Sequence, residues 1–552
     1  MAIPAATPRE KEPSSAPRSF LLLEFAAGLA LRLHLASTTF LNPDEALHHF
    51  LARQSSLALA YEASLTTAHP PLMILFLHLW SLVGGSELVL RLPFVVAGTV
   101  ASWIMFLWVD AVANRRAAHF ALAMFLFAPG LISVQAEIRQ YSFLLLFSSC
   151  SLYFLERAVK ENFLPWMIVS AACLDLALLT HYSALIFAAA AGAYALALLV
   201  QKRPKPRVAI AWASGQMSAL AISLFLFRTQ VAKLRESGLP SEIRATWLRS
   251  SVFHPGEDPI LFFAWTRTLR LFRYVFSHGS VGVAGLCLFL FSLVLLLRRS
   301  QGEGKGSARS LALVLALPFA ITLGTSLAGV YPYGGSRHDV LLAMFAIPGI
   351  AIGLDQLPLG RVEAALGWFK PALAGAALIL SNLFPSPAGP YIRPRNQRRE
   401  LIEQAIGSLR SLAPGSIVLT DAQGAAVLDY YFCPHPMALP FGRGAPSFVK
   451  LPCGADYVLL APHSETGFDR GKFPALLDEA WRAVPEAGSL VLFQSGWIDD
   501  KQGEWLAELR ALGGEPENFG PNVLLSPIPR HPGGRPLESK PAGEAEKRRS
   551  ND

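Results

Sequence analysis

The stretch LPFVVAGTVASWIMFLWVDAVANRRAAHFALAMFLFAPGLI (92–132) places two long apolar runs on either side of the basic pair Arg115-Arg116. About 20 predominantly apolar residues span a bilayer core, so 92–112 reads as a crossing and the run after the arginines as a second. Basic residues in short connections stay on the cytoplasmic side, which fixes the orientation of the pair. The same reading, carried outward, finds eleven such segments: 20–36, 92–112, 117–132, 141–155, 163–179, 184–200, 209–226, 281–297, 311–330, 340–354 and 371–383.

The whole chain agrees. It has 552 residues, is 52% hydrophobic and only 16% charged, and has a mean hydropathy of +0.38. Those values exclude a wholly soluble protein. The net charge of +8 forms no nucleic-acid patch, because residues 1–385 carry +10 and the remainder carries −2. The positive excess sits in short connections at Arg115-Arg116, Arg157 with Lys160, 202–207, Arg298-Arg299 with Lys305 and Arg309, and Arg361 with Lys370. All of these face the cytoplasm together only if 71–83 does not cross, so that segment is expected to lie on the outer surface. The run 20–36 carries Glu24 and Arg32 and reads as a first anchor rather than a cleaved signal.

Four regions are expected: a cytoplasmic tail (1–19), a membrane domain (20–385), an outer domain (386–530) and a disordered tail (531–552). In the outer domain, helical periodicity at 399–412, 422–431, 473–484 and 504–512 alternates with strands at 416–420, 456–461 and 489–493, which predicts a soluble α/β domain over a mostly parallel sheet. Cys150, Cys173 and Cys287 lie in apolar runs and read as small core residues. Cys433 and Cys453 are the pair available for a disulfide in an oxidising outer compartment.

Expensive polar residues gather at the outward ends of the spans. They form Asn42-Pro43-Asp44-Glu45, then Ala68-His69-Pro70-Pro71-Leu72, then Glu137-Ile138-Arg139-Gln140-Tyr141, then Thr180-His181-Tyr182, and last Tyr331-Pro332-Tyr333-Gly334-Gly335-Ser336-Arg337-His338-Asp339. One outward-facing site drawing on all five is the economical reading. Asp44 is a general-base candidate with Glu45 as its support, although an aspartate before the expected helix 46–59 also serves as an N-cap. Arg139, Arg337 and His338 are candidates for holding a phosphate, since arginine grips its oxygens bidentately. His69, Glu137, Tyr141, His181, Tyr182 and Tyr333 are expected to line the site, and a divalent metal would draw on Asp44, Glu45 and Glu137. Arg267, Arg270 and Arg273 share one helical face and suit lipid headgroups, the same phosphate or solvent.

These motifs in this order, with Arg91-Leu92-Pro93-Phe94 after the His-Pro-Pro-Leu, resemble the bacterial branch of the GT-C membrane glycosyltransferases. That branch is similar to the dolichyl-phosphate-mannose protein mannosyltransferases and the lipid A aminoarabinose transferase. The resemblance covers about residues 20–385. It implies an inverting enzyme that moves a sugar from a polyprenyl-phosphate donor to a lipid, glycan or protein acceptor at the outer face of the bacterial inner membrane. It also implies that Asp44 is the base, Glu45 its companion, His69 on the site floor, and Glu137, Arg139 and Tyr141 the second outer loop of the site. The outer domain lacks the β-trefoil pattern of the eukaryotic mannosyltransferases. A multispanning transporter, or a non-catalytic anchor for the outer domain, are the alternatives; the scattered charges Glu24, Arg32 and Asp175 show no paired arrangement in sequence.

Overall fold

The computed structural model describes residues 18–236, 248–299, 305–357, 369–383, 397–412, 416–435, 449–453, 456–460, 473–483, 485, 487, 489–495, 510, 517–518 and 523–528. The expected tails and the helix expected at 504–512 fall outside these residues, apart from Arg18, Ser19 and Arg510. Contacts divide the chain into two compact units, Met1–Ser37 with Leu57–Ile392, and Thr38–Ser56 with Arg393–Asp552.

Every one of the eleven apolar segments falls on helix. Eight helices among the described residues are long and apolar enough to cross a membrane, and the bent pair Arg115–Phe127 and Pro129–Gln135, which meet at 55°, makes a ninth if taken as one span. Leu164–Leu178 and Lys370–Leu380 are shorter apolar helices. The elements that matter below are α1 (Arg18–Thr38), α2 (Pro43–Ala52), α3 (Leu57–Ser64), α4 (Leu72–Trp80), α5 (Glu87–Val112), α6 (Arg115–Phe127), α7 (Pro129–Gln135), α8 (Tyr141–Glu161) and α9 (Leu164–Leu178). At nine residues, α4 is too short to cross, as its sequence indicated. The helix expected over 46–59 is instead two helices, α2 and α3, because the chain leaves α2 at Arg53 and runs through Ser55 and Ser56 before α3.

Of the two charged residues buried in α1, Glu24 and Arg32, the arginine answers a break in another helix. Pro129 has no N–H, so the Phe125 carbonyl at the end of α6 loses its intrahelical donor. Arg32 supplies it, donating from Nη2 to Phe125 O at 2.9 Å and from Nη1 to Leu126 O at 2.8 Å. Its Nε donates to Gln135 Oε1 at 2.8 Å. Gln135 reaches this position because residue 98 is glycine, where a Cβ would come within 2.6 Å of the Gln135 side chain. A fully buried guanidinium thereby satisfies carbonyls that no water can reach, at the negative end of a helix. Arg91 repeats the device, donating to Ala36 O in the last turn of α1 at 2.8 Å.

In the second unit the described strands are β1 (Ile417–Thr420), β2 (Val449–Cys453), β3 (Asp456–Leu460), β4 (Leu490–Ser495), β5 (Glu517–Asn518) and β6 (Val523–Ile528). They form one sheet in the order β2-β3-β1-β4-β6-β5. β1 is parallel to β3 and β4, while β2, β6 and β5 pair antiparallel, so the sheet is mixed rather than mostly parallel. β2 and β6 escaped the sequence reading because each contains a proline, Pro452 and Pro527, and proline argues against a strand except at edges and bulges. The helix Ala422–Tyr431, α10 in this unit, begins at the N-cap Asp421, whose Oδ1 accepts from Gly424 N at 2.8 Å. Burial pushes the Asp421 carboxyl up to about 6. Cys433 and Cys453 are joined in a disulfide across 20 residues, tying the end of α10 to β2.

Candidate active site

The kink at Pro129 delivers the motif 137–141. α7 ends at Gln135, which Arg32 holds, and the next turn carries Glu137, Ile138 and Arg139 before α8 begins at Tyr141. Glu137, Arg139 and Tyr141 are all buried, at 5%, 3% and 0% exposure. The Arg139 guanidinium lies 5.6 Å from the Tyr141 ring centre, within cation–π range. The Tyr141 ring is 5.4 Å from His181 and 6.5 Å from His338, and His181 stacks on His69 at 5.4 Å with the planes 27° apart. Four of the five motifs thus meet in the membrane-embedded unit.

His181 is held in one tautomer. Ser183 N–H donates to its Nδ1 at 3.1 Å, which leaves the proton of the neutral ring on Nε2. Burial, with the nearby Arg139 charge, lowers its pKa to about 3, so the ring is neutral at physiological pH.

The His69 loop is fixed by a residue the sequence reading missed. Gln230 lies in a single π turn, Phe227–Val231, and is fully buried. Its Nε2 donates to Ser64 O at 3.1 Å, Thr67 O at 2.8 Å and His69 O at 2.7 Å, while Tyr182 Oη donates to its Oε1 at 2.6 Å. Leu72 N–H donates to Leu179 O at 3.1 Å, binding the start of α4 to the end of α9. In sequence Gln230 follows Arg228 and Thr229 just past the apolar run 209–226, where a polar residue is unremarkable, so no local signal set it apart. Tyr182 is therefore a bracing residue whose hydroxyl is occupied by Gln230.

The last motif makes a turn through Gly334 and Gly335, with φ of +104° and +82°. Glycine is required there twice over, because a Cβ on Gly334 would meet Arg267 at 2.4 Å. Asp339 Oδ2 accepts from Gly334 N at 2.9 Å and from Ser336 Oγ at 3.3 Å, and Tyr331 Oη donates to His338 O at 2.9 Å. Tyr333 is buried, its hydroxyl lies 2.6 Å from Thr268 Oγ1, and its N–H donates to Ser251 O. Arg337 and His338 are half-buried.

Several polar atoms around this cluster are buried without a hydrogen-bond partner: Tyr141 Oη, both ends of the Gln140 amide, Ser142 Oγ and Asp339 Oδ1. Buried polar groups are normally hydrogen-bonded, so these atoms are open to a water or a polar ligand. A separate, open apolar groove of about 350 Å³ is lined by Trp80, Leu92, Val96, Val100, Phe143 and Leu146, among others. Phe143 and Leu146 belong to α8, which starts at Tyr141.

In the second unit, Asn42, rather than Asp44, is the N-cap of α2. Asn42 Oδ1 accepts from Glu45 N and Glu45 Oε2 accepts from Asn42 N, each at 3.1 Å, with Pro43 in the first helical position. This capping box accounts for Glu45, which is fully buried, and leaves Asp44 half-buried in the first turn. The Asn-Pro-Asp-Glu spacing carried that signal. Burial, with Arg53, lowers the His49 pKa to about 4. Among the described residues, no group of three or more His, Cys, Asp or Glu side chains is placed to hold a metal ion.

Residues 68–227 match the family model described as dolichyl-phosphate-mannose-protein mannosyltransferase. That span holds His69, Glu137, Arg139, Tyr141, His181 and Tyr182. No curated protein matches the chain. Among solved structures, ArnT from Cupriavidus metallidurans is similar in its apo state (TM-score 0.56, 14% identity, 92% of this chain and 98% of that one). The same protein bound to undecaprenyl phosphate is similar with a TM-score of 0.57 at 14% identity, over 93% and 98% of the two chains. The Archaeoglobus fulgidus oligosaccharyltransferase in its apo form gives a TM-score of 0.51 at 12% identity, over 89% of this chain and 71% of that one. The matched family and these neighbours are glycosyltransferases of the GT-C type, and the fold of this chain is theirs.

Proposed function

We propose that the protein transfers a sugar from a polyprenyl-phosphate donor to a hydroxyl on a lipid, glycan or protein acceptor, at the outer face of a bacterial inner membrane and with inversion. The observation that carries this reading is the buried Arg139–Tyr141–His181–His69 cluster, in which the Tyr141 hydroxyl has no hydrogen-bond partner, on a helix that also lines an apolar groove through Phe143 and Leu146. A phosphate joined to a long apolar chain has the chemistry that both features ask for. The binding of undecaprenyl phosphate by the similar ArnT supports the same donor class.

In the proposed reaction the acceptor oxygen attacks the anomeric carbon, Asp44 takes the acceptor proton, and the bond from that carbon to the phosphate oxygen breaks. The departing phosphate gains negative charge, and Arg139 and Arg337 stabilise it where it develops. His181, neutral and fixed with Nε2–H, offers a donor without an added charge. His338, Glu137 and Tyr141 line the phosphate end.

The test is transfer from a panel of radiolabelled undecaprenyl-phosphate sugars to endogenous acceptors in membranes, wild type against Asp44→Asn. A general base contributes about 10²- to 10⁴-fold, so the variant is expected to lose transfer by about a thousandfold while still binding undecaprenyl phosphate. Equal transfer by both removes Asp44 as the base. No transfer from any donor, beside an active control transferase, favours the transporter or anchor alternatives.

A further inference from the structure

The segment that carries Asp44 is built into the C-terminal unit, and the contacts that hold it there are specific. Three consecutive residues before α2 are tied in turn. Thr39 forms an antiparallel bridge with Arg398, Phe40 N–H donates to Gln397 O at 2.9 Å, and Leu41 N–H donates to Tyr431 Oη at 2.7 Å. Leu41 is fully buried, so the phenol oxygen stands where water cannot serve its amide. The capping box at Asn42 then fixes the first turn of α2. Further along α2, His49 meets the Tyr430 ring edge-on at 5.2 Å, and Arg53 pairs with the buried Asp429 at 3.8 Å.

Three of these five partners, Asp429, Tyr430 and Tyr431, come from the last turn of α10. That turn is anchored twice more. Arg410 Nη2 donates to Tyr431 O at 3.0 Å, and Cys433, two residues on, is joined to Cys453 in β2. An aspartate serving as a base must be held within a fraction of an ångström of its working position, and misplacement by about 1 Å costs about a hundredfold in rate.

We infer that Tyr431 is a positioning residue for Asp44, and that the α/β domain, locked at the end of α10 by the Cys433–Cys453 disulfide, serves the reaction by setting the position of that carboxylate. The inference rests on the proposed role of Asp44 as base. It assigns the C-terminal domain a part in catalysis without placing any of its residues against substrate.

The test uses the full chain in detergent micelles, with Tyr431→Phe and the double variant Cys433→Ser/Cys453→Ser beside wild type and Asp44→Asn. Two quantities are read: amide hydrogen exchange over residues 39–46, and the single-turnover rate of transfer from a labelled undecaprenyl-phosphate sugar, with binding of undecaprenyl phosphate measured separately. Both variants are expected to exchange faster over 39–46, to keep wild-type protection in α5 and α8, and to lose about tenfold or more in transfer rate at unchanged affinity for undecaprenyl phosphate. Unchanged exchange in both variants overturns the fastening. Faster exchange at a wild-type transfer rate, with Asp44→Asn inactive, overturns the positioning role. Loss of affinity in parallel with rate also overturns it, since a displaced base leaves donor binding alone. Should Asp44→Asn transfer at the wild-type rate, the failure lies in the assignment of the base, and the exchange result still decides whether Tyr431 holds the segment.

Discussion

In the membrane-embedded unit, the turn carrying Glu137 and Arg139 is fixed by a charged side chain sunk among helices; in the C-terminal unit, the turn carrying Asp44 is fixed by main-chain pairing and a capping box. Arg32 reaches the carbonyls of Phe125 and Leu126 and the amide of Gln135, while Thr39, Phe40 and Leu41 use their own backbone against Arg398, Gln397 and Tyr431. The difference follows from the solvent. Where a proline breaks a helix in the bilayer, the freed carbonyl has no water to turn to and must find a donor inside the protein. At the edge of a soluble domain the backbone can be satisfied by a short extended pairing, and the helix start by a local side chain.

This contrast can be broken most directly at Arg32. Arg32→Met keeps the apolar bulk but leaves two carbonyls and the Gln135 amide unpaired, which should cost about 4 kcal/mol at 1–3 kcal/mol for each buried orphan. Thermal unfolding in detergent should show a large fall in midpoint, and an unchanged midpoint would mean that the kink needs no internal donor. A smaller effect is expected in the other unit: Cys433→Ser with Cys453→Ser opens a loop of 20 residues and should lower the stability of the C-terminal unit by about 3 kcal/mol in denaturant titration, leaving the membrane helices as they are. If both transitions shift together, the two units do not fold as separately as their contacts imply.

A further effect is a pH dependence that the two units share. His181 and His49 are both buried and neutral, with pKa values lowered to about 3 and about 4 from an ordinary 6.5. The unfolded chain binds the extra protons, so each contribution is complete above about pH 6.5 and is lost as the pH falls towards the folded value. Stability measured from pH 7 down to pH 4 should decline in wild type and decline less steeply in His181→Asn and in His49→Asn. A variant that retains the wild-type slope identifies a histidine that does not carry its share.

Much of this protein was legible one segment at a time. The apolar runs announced helices because a run of about 20 residues has few other places to go, and the alternation after residue 399 announced the α/β domain. The helix 422–431 and the strand 456–460 were found almost residue for residue. The readings that failed are those in which a local preference was overruled or a second local signal was present. Asp44 was weighed as an N-cap although Asn42 with Glu45 makes the better box, and β2 and β6 were hidden by their prolines. Gln230 looked like one polar residue at the end of an apolar run, and only its three carbonyl partners reveal its purpose.

By itself, then, the sequence determined which segments are helix, which ends carry polar motifs, and the class of protein those motifs resemble, because hydropathy and periodicity are properties of neighbouring residues. The tertiary structure alone decided that Arg32 answers the break at Pro129, that Gln230 clamps the His69 loop, and that the Asp44 segment belongs with the C-terminal unit. Leu41 and Tyr431 are 390 positions apart, and Arg32 and Gln135 are 103 apart. A buried donor and acceptor are joined by the free energy of leaving neither unsatisfied, and that cost depends on what is near in space, whatever the distance along the chain.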